Sequence, residues 1–437
     1  MPRLAELATA GGLLASRRAL YEAGRRSLLR PREILFFHDV SDPYSYLLAQ
    51  ALPGLIERYR VEIKPVLVPP FVFSSDSNAR LLEEYARRDA GELADRTGFA
   101  FHDPGRPPPK GAVMEVARRL SLLSDTQAFL EEAAGGGGAC WRQESEREPH
   151  EPQGSDPGTD DGLMEKLAEG GRLRAALGHY SGGMLYFGGE WYWGLDRLHY
   201  LEERLRDSGA SRQPGLPRLV GCPEESAGPP HDGLDGCDGD RRGAGKTLEV
   251  FFSFRSPYSY LALEELPDLI RRTGVKILLR PVYPMILRGV PLPPGKLRYI
   301  LFDCAREARR LKIPFGRIAD SLLGNGFEKA LAIFPQAASA GLGLRFARLA
   351  LRASFAEGKY LKDEEVLRRV AEETGLSWPG CRPEINDQAW LGAAHLNAES
   401  LRKMGLWGVP SFNCGALSCW GRDRLWMVEK YLSESVG

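Results

Sequence analysis

The feature that most constrains this chain is an internal repeat. Phe36-Phe37, then Asp42-Pro43-Tyr44-Ser45-Tyr46-Leu47 and Leu52-Pro53-Gly54-Leu55-Ile56, match Phe251-Phe252, then Ser256-Pro257-Tyr258-Ser259-Tyr260-Leu261 and Leu266-Pro267-Asp268-Leu269-Ile270, with one residue of slippage. A second signature closes each copy: Trp193-Gly194-Leu195-Asp196-Arg197-Leu198 and Trp420-Gly421-Arg422-Asp423-Arg424-Leu425. Two signatures in the same order, far apart within each copy, indicate a duplicated domain. At roughly 100–200 residues per domain, a chain of 437 residues accommodates both copies.

The remaining length reads as connection. Residues 206–245 hold Pro214, Pro217, Pro223, Pro229 and Pro230 among many Gly and Asp, with almost no periodic apolar residues, which is the composition of a disordered linker. The run Gly135-Gly136-Gly137-Gly138, continuing through Glu144 to Gly162, reads as an exposed, flexible insertion over about 134–162. The expected organisation is therefore a helical extension over 1–30, a degenerate first domain over 31–205, a linker over 206–245 and a second domain over 246–437. Arg3, Arg17, Arg18, Arg25, Arg26 and Arg30 mark the extension, but Glu6 and Glu22 interrupt them, so an ordinary amphipathic helix explains it better than a transit peptide.

Charge and sulfur narrow the class. The 58 basic and 58 acidic residues give a formal net charge of zero, which argues against nucleic acid as a partner. No apolar stretch approaches the ~18 residues of a membrane span, and seven scattered cysteines are no disulfide framework. A cytoplasmic protein without a membrane partner is expected. Seven dispersed histidines give no metal-ligand spacing, so no metal is expected. Gly341-Leu342-Gly343 lies in a helical pattern and lacks the third glycine of a phosphate loop, and Trp191-Tyr192-Trp193 reads as hairpin packing.

Element order is most legible in the second copy. Leu248 to Phe254 suits a buried strand, Pro257 to Thr273 a helix ending at Gly274, and Val275 to Pro281 a second strand. Helical stretches follow over Lys296–Lys312, Phe327–Gly358, Asp363–Gly375 and Asn386–Gly405. Val409 to Phe412 and Leu417 to Trp420 then form a hairpin, and Asp423 to Leu432 a last helix. This βαβ, helical insertion, ββα order is the outline of a thioredoxin fold. The expected fold class is thus α/β, with two tandem thioredoxin-like domains, each carrying helices inserted between its βαβ and ββα halves.

In a thioredoxin fold used for dithiol chemistry, Cys-x-x-Cys stands at the first helix start, where free N–H groups and the helix dipole stabilise a thiolate. Here that place holds Ser256-Pro257-Tyr258-Ser259, and Asp42-Pro43-Tyr44-Ser45 in the first copy; no Cys-x-x-Cys occurs in the chain, which excludes exchange through that motif. Ser256 with Pro257 is an ordinary helix cap and first residue. The same hydroxyl also suits donation to the sulfur of a bound thiol, and one oxygen can do both.

Phe251 to Leu261, Gly408-Val409-Pro410-Ser411-Phe412 and Gly421-Arg422-Asp423-Arg424-Leu425 resemble the kappa-class glutathione transferase and 2-hydroxychromene-2-carboxylate isomerase family, a DsbA-like branch of the thioredoxin superfamily. The resemblance runs in order over Lys246 to Leu432. It implies glutathione as cofactor or cosubstrate, with Ser256 the catalytic residue at the glutathione sulfur. It further implies a cis peptide at Val409-Pro410 that frees backbone to pair with the tripeptide, and Asp423 facing the γ-glutamyl ammonium; Arg424 is a further candidate for glutathione contact. Tyr258, Lys296 and Arg298 are the candidates for substrate contact. Each has a plainer reading: Val409-Pro410 as trans strand entry, Asp423 as a cap, Arg422 and Arg424 as solvated charges, and Lys296 and Arg298 as helix-surface charge.

Departures stand beside the resemblance. The family's Gly-Asn loop corresponds to Leu287-Arg288-Gly289-Val290-Pro291-Leu292-Pro293-Pro294-Gly295, without Asn, and Arg422 stands where a small residue is usual. In the first copy Asp42 replaces Ser256 and would repel a thiolate, while His179 to Phe187 contains no Val-Pro. That copy therefore lacks both parts of the thiol site; Asp42 with His38 or His179 is an alternative acid/base pair. Cys414 and Cys419 suit a disulfide, a reactive pair or two free thiols. The function expected is a glutathione-dependent isomerase or transferase acting from the second domain on a small aromatic electrophile, with domain pairing within the chain or a homodimer. The alternatives are a non-catalytic thioredoxin-fold peptide-binding module and thiol-disulfide exchange of the DsbA kind.

Overall fold

The computed structural model describes residues 6, 11–70, 76–143, 157–213, 215–221, 243, 245–284, 295–319 and 326–434. The chain is α/β and divides into two compact units, one of Ser16–Cys222 with Pro293–Lys296, the other of Met1–Ala15, Pro223–Leu292 and Leu297–Gly437. Each is built on one four-stranded sheet.

In the C-terminal unit, β5 (Thr247–Phe252) is central because it is apolar on both faces: Leu248, Val250 and Phe252 on one, Phe251 on the other, all buried. Helix α8 (Pro257–Thr273) returns the chain to β6 (Lys276–Pro281), parallel to β5, as a crossover must. After the inserted helices, β7 (Ser411–Cys414) runs antiparallel to β5 and β8 (Leu417–Trp420) completes the order β6-β5-β7-β8. This half has the thioredoxin-like fold. Phe252, Phe254, Phe334 and Phe346 meet edge-to-face where the inserted helices cover the sheet. Gly341 lies in the turn between α10 (Phe327–Ser339) and α11 (Gly343–Phe355), so the Gly341-Leu342-Gly343 segment is a helix junction and not helix interior.

In the N-terminal unit, β1 (Glu33–His38), α2 (Pro43–Arg58), β2 (Glu62–Leu67), β3 (Met184–Phe187) and β4 (Glu190–Trp193) give the order β2-β1-β3-β4. The ladders set the repeat register: Phe37 faces Met184 at the start of β3, as Phe251 faces Ser411 at the start of β7. Phe37 therefore corresponds to Phe251, and the one-residue slippage seen in sequence disappears; a slip would have turned every strand side chain to the other face. From Ser16 onward, helix α1 (Gly11–Ser27) belongs to this unit, held by a two-pronged Arg18–Glu190 ion pair at 2.7 Å and by Tyr21 edge-on to Phe187.

Two sequence expectations are corrected. The four glycines expected to open a flexible insertion lie inside α5 (Thr126–Arg142), with Gly137 and Gly138 buried. A Cβ at Gly137 would stand 3.2 Å from the Tyr46 ring, so the glycines permit close packing on α2. The insertion beyond Gln143 as far as Asp156 lies outside the described residues. Likewise the first part of the expected disordered linker is packed: Ser211 bridges Tyr59, Arg206 donates to the Leu216 carbonyl, and the Leu219 N–H donates to Glu202 at 3.0 Å. Buried Glu202 needed a donor, and linker composition conceals such polar anchoring. Residues 222–242 lie outside the described residues.

Candidate functional site

Ser256 caps α8 with extended backbone (φ −102°, ψ 114°), its Oγ accepting from the Ser259 N–H at 3.1 Å, with Pro257 as the first helical residue. The same hydroxyl donates its one proton to the Val409 carbonyl at 3.4 Å. That is long for O–H···O, whose usual distance is about 2.7–2.8 Å, so the proton is weakly held. The Val409-Pro410 peptide is cis. Helix start and cis-proline loop thus meet at the Ser256 hydroxyl.

The loop is fixed by its glycine and aromatic neighbours. Trp407 and Trp420 pack at 4.9 Å, a Cβ on Gly408 would stand 2.2 Å from the Trp420 indole, and Ser411 Oγ donates to the Gly408 carbonyl at 2.9 Å. The Gly421 N–H donates to the Pro410 carbonyl at 2.9 Å, bringing the helical turn Arg422–Arg424 beside the loop. Asp423 is its half-open member, with 20% of its side chain exposed and Arg424 at 3.8 Å. Gly421 has φ +107°, and a Cβ there would lie 2.5 Å from Asp423 Oδ1, so glycine is required for this carboxylate position.

Arg422 and Arg424, read from sequence as solvated charges, are both buried. The Arg422 guanidinium donates to Glu265 of α8 at 2.7 Å and to Glu307 of α9 (Lys296–Leu311). Burial alone would lower its pKa, but Glu265, Glu307 and Asp423 more than reverse this and raise it. Arg424 donates to the Asp423 carbonyl at 3.4 Å. Its buried guanidinium sits beside the Asp423 backbone.

The Tyr258 hydroxyl donates to buried Asp303 at 2.8 Å, and Arg306 pairs with the same carboxylate at 3.4 Å. Sequence reasoning named Tyr258 and missed Asp303. Its signal was the repeat itself: Tyr44 donates to Asp89 at 2.7 Å, with the same separation of 45 residues. Arg298 is exposed on α9, over Phe302. Lys296 is no surface charge: it is buried, and desolvation lowers its pKa to about 8. Residues 287–294 of the altered loop lie outside the described residues.

The first repeat closes the equivalent helix start on itself. Asp42 accepts from the Tyr44 and Ser45 N–H groups at 3.2 and 3.0 Å and from Ser45 Oγ at 2.8 Å. Gly182-Gly183 replaces Val409-Pro410, with Gly183 at φ +61° against Asp42. Burial, then Asp39, pushes the Asp42 pKa up to about 7. The alternative pair of Asp42 with a histidine is not seen among the described residues: Asp42 accepts from Tyr44 and Ser45, and His179 Nδ1 accepts from the Ser181 N–H. Desolvation holds both His38 and His179 neutral, near pKa 3.

Cys414 and Cys419 are buried and are not joined in a disulfide; the hairpin register sets Cys414 opposite Leu417 and Cys419 opposite Phe412, and burial raises the Cys414 pKa. Cys414 therefore lacks the character of a reactive thiolate. Among the described residues no group of three or more His, Cys, Asp or Glu is placed to hold a metal, and no helix is long and apolar enough to cross a membrane.

Residues 247–433 match the DSBA-like thioredoxin domain, and the C-terminal half of the chain is such a domain. Among individual proteins, a 2-hydroxychromene-2-carboxylate isomerase of Sphingobium xenophagum is 29% identical over 195 residues, covering 43% of this chain and 98% of the relative. A solved 2-hydroxychromene-2-carboxylate isomerase aligns at 22% identity over 43% of this chain and 94% of its own, with TM-score 0.38. The cytosolic disulfide reductase DsbM of Pseudomonas aeruginosa, solved with GSH, aligns at 19% identity over 43% and 93%, with TM-score 0.32.

Proposed function

We propose that the C-terminal domain is a glutathione-dependent isomerase or transferase of the 2-hydroxychromene-2-carboxylate isomerase and kappa-class type, acting on a small aromatic electrophile. The observation that carries this reading is the Ser256 hydroxyl, held at a helix start against the cis Val409-Pro410 loop and giving its only proton to a weak acceptor. A thiol entering there finds a donor and the positive end of a 17-residue helix, both of which favour thiolate. The Val409 carbonyl, once released, pairs with an amide of the tripeptide, and Asp423 faces its ammonium. The sulfur adds to a conjugated double bond of the substrate; rotation about the resulting single bond and loss of the same sulfur, with its electron pair, give the isomer and return the thiolate.

The first domain, on this reading, is a duplicated thioredoxin-like copy whose helix start is occupied by Asp42 and which binds no thiol. Three pairs support the duplication: Tyr44–Asp89 with Tyr258–Asp303, the Ser45–Asp39 bond with Ser259–Ser253, and the Gly194–Gly183 bond with Gly421–Pro410.

Titration of the full chain with glutathione tests the proposal. A saturable rise in thermal stability is expected, worth about 2.7 kcal/mol at 100 times Kd, together with glutathione-dependent turnover of a hydroxychromene carboxylate. No shift at millimolar glutathione overturns the reading in favour of a peptide-binding module.

A further inference from the structure

Beneath the site lies an ionic cluster that the proposed chemistry does not use. Arg422, Glu307 and Glu265 have side chains 5%, 1% and 12% exposed, and Arg310 also donates to Glu307, at 3.1 Å. Three elements meet in it: the turn carrying Asp423, the helix that Ser256 caps, and α9 with Asp303. Such buried clusters contribute little net stability, because desolvating the charges offsets their attraction and apolar residues of similar volume do as well or better.

This chain contains that apolar solution. At the positions related by the repeat stand Ala51 for Glu265, Leu93 for Glu307 and Leu195 for Arg422, 1%, 4% and 3% exposed and within one core. The neighbours on either side are kept, since Asp196 and buried Arg197 correspond to Asp423 and Arg424, and Asp89 to Asp303. The copy with the apolar triad is the one that has Asp42 and Gly182-Gly183 in place of Ser256 and Val409-Pro410. Packing alone therefore does not call for the charges. What an arginine fork adds over leucine is direction: two fixed N–H vectors set the turn's rotation as well as its distance.

We propose that the Arg422–Glu265–Glu307 cluster is a positioning device, which holds the turn bearing Asp423 in the orientation that lets Asp423 and Ser256 engage one ligand. Gly421, bonded to the Pro410 carbonyl, fixes the turn from one side, and the Arg422 fork fixes it from the other. The inference rests on the glutathione reading of the same site.

The test transplants the first repeat's solution into the second: Glu265→Ala, Glu307→Leu and Arg422→Leu together in the full chain. The expected result is a melting temperature equal to or above wild type, with Kd for glutathione raised at least tenfold and KM for glutathione rising more than kcat falls. Arg422→Lys keeps the charge and loses the fork; it is expected to raise Kd at least threefold, and it serves alone if the triple variant does not fold. Wild-type affinity in the folded triple variant, or in Arg422→Lys, overturns the positioning role and leaves the glutathione reading intact. A wild-type chain that binds no glutathione overturns both.

Discussion

On the proposed reading Ser256 has two separable roles, and two substitutions separate them. In Ser256→Ala the cap on the Ser259 N–H is lost, which costs about 1 kcal/mol and lowers the melting temperature of a domain of this size by about 2–4 °C. The donor to sulfur is lost as well, and a hydrogen bond to a charged group is worth about 1.5–3 kcal/mol. Glutathione affinity and turnover should therefore fall roughly ten- to 150-fold. Ser256→Asp instead imports the first repeat's residue. Asp42 shows that a carboxylate caps this helix start through two N–H groups, at 3.2 and 3.0 Å, so the cap is kept and the domain should still fold, with burial of the carboxylate lowering its melting temperature. A carboxylate beside the incoming thiolate repels it, and binding should disappear. Differential scanning fluorimetry with and without glutathione reads both quantities in one experiment. If Ser256→Asp binds glutathione as wild type does, Ser256 is only a cap and the reasoning fails.

Gly421→Ala should destabilise the C-terminal unit by about 1–2 kcal/mol, because φ is +107° and the new Cβ meets Asp423 Oδ1 at 2.5 Å; urea denaturation measures the loss, and an unchanged midpoint contradicts the assigned geometry. His38 gives a pH dependence. Its native pKa is lowered by burial to about 3, against about 6.5 unfolded. Between those values the unfolded state binds the extra proton, so stability falls as pH drops, by up to about 1.4 kcal/mol per pH unit for this group. His38→Phe, which supplies the residue found at Phe252 in the second repeat, should remove that share of the slope; a wild-type slope in the variant would assign the acid sensitivity elsewhere.

Much of the fold was legible because its sequence signatures recur along the chain. The strand and helix order of the second copy, the Ser256 cap, the first-turn Pro257 and the closing Trp-Gly signature are local patterns. What could not be read depends on distant partners. Gly135 to Gly138 carry loop composition, yet they lie within a helix that packs Gly137 and Gly138 against the Tyr46 side chain. Leu219 looked like linker until Glu202 required its N–H. Arg422 looked like a surface charge because its two carboxylates lie 157 and 115 residues away. Asp303 carried no motif; only the equal 45-residue spacing to a tyrosine in both copies could have found it. Composition and local periodicity report what a residue can do, and long-range pairing selects which of those things it does.

The single hydrogen of the Ser256 hydroxyl has one further consequence. Its present acceptor is the Val409 carbonyl, so a sulfur that claims this hydrogen leaves the carbonyl bare. A peptide-bearing thiol can fill that vacancy with its own amide, whereas a plain alkyl thiol cannot and leaves an acceptor unpaired, at a cost of about 1–3 kcal/mol where water is shut out. On the proposed reading, discrimination between glutathione and small thiols would draw on this exchange as well as on Asp423.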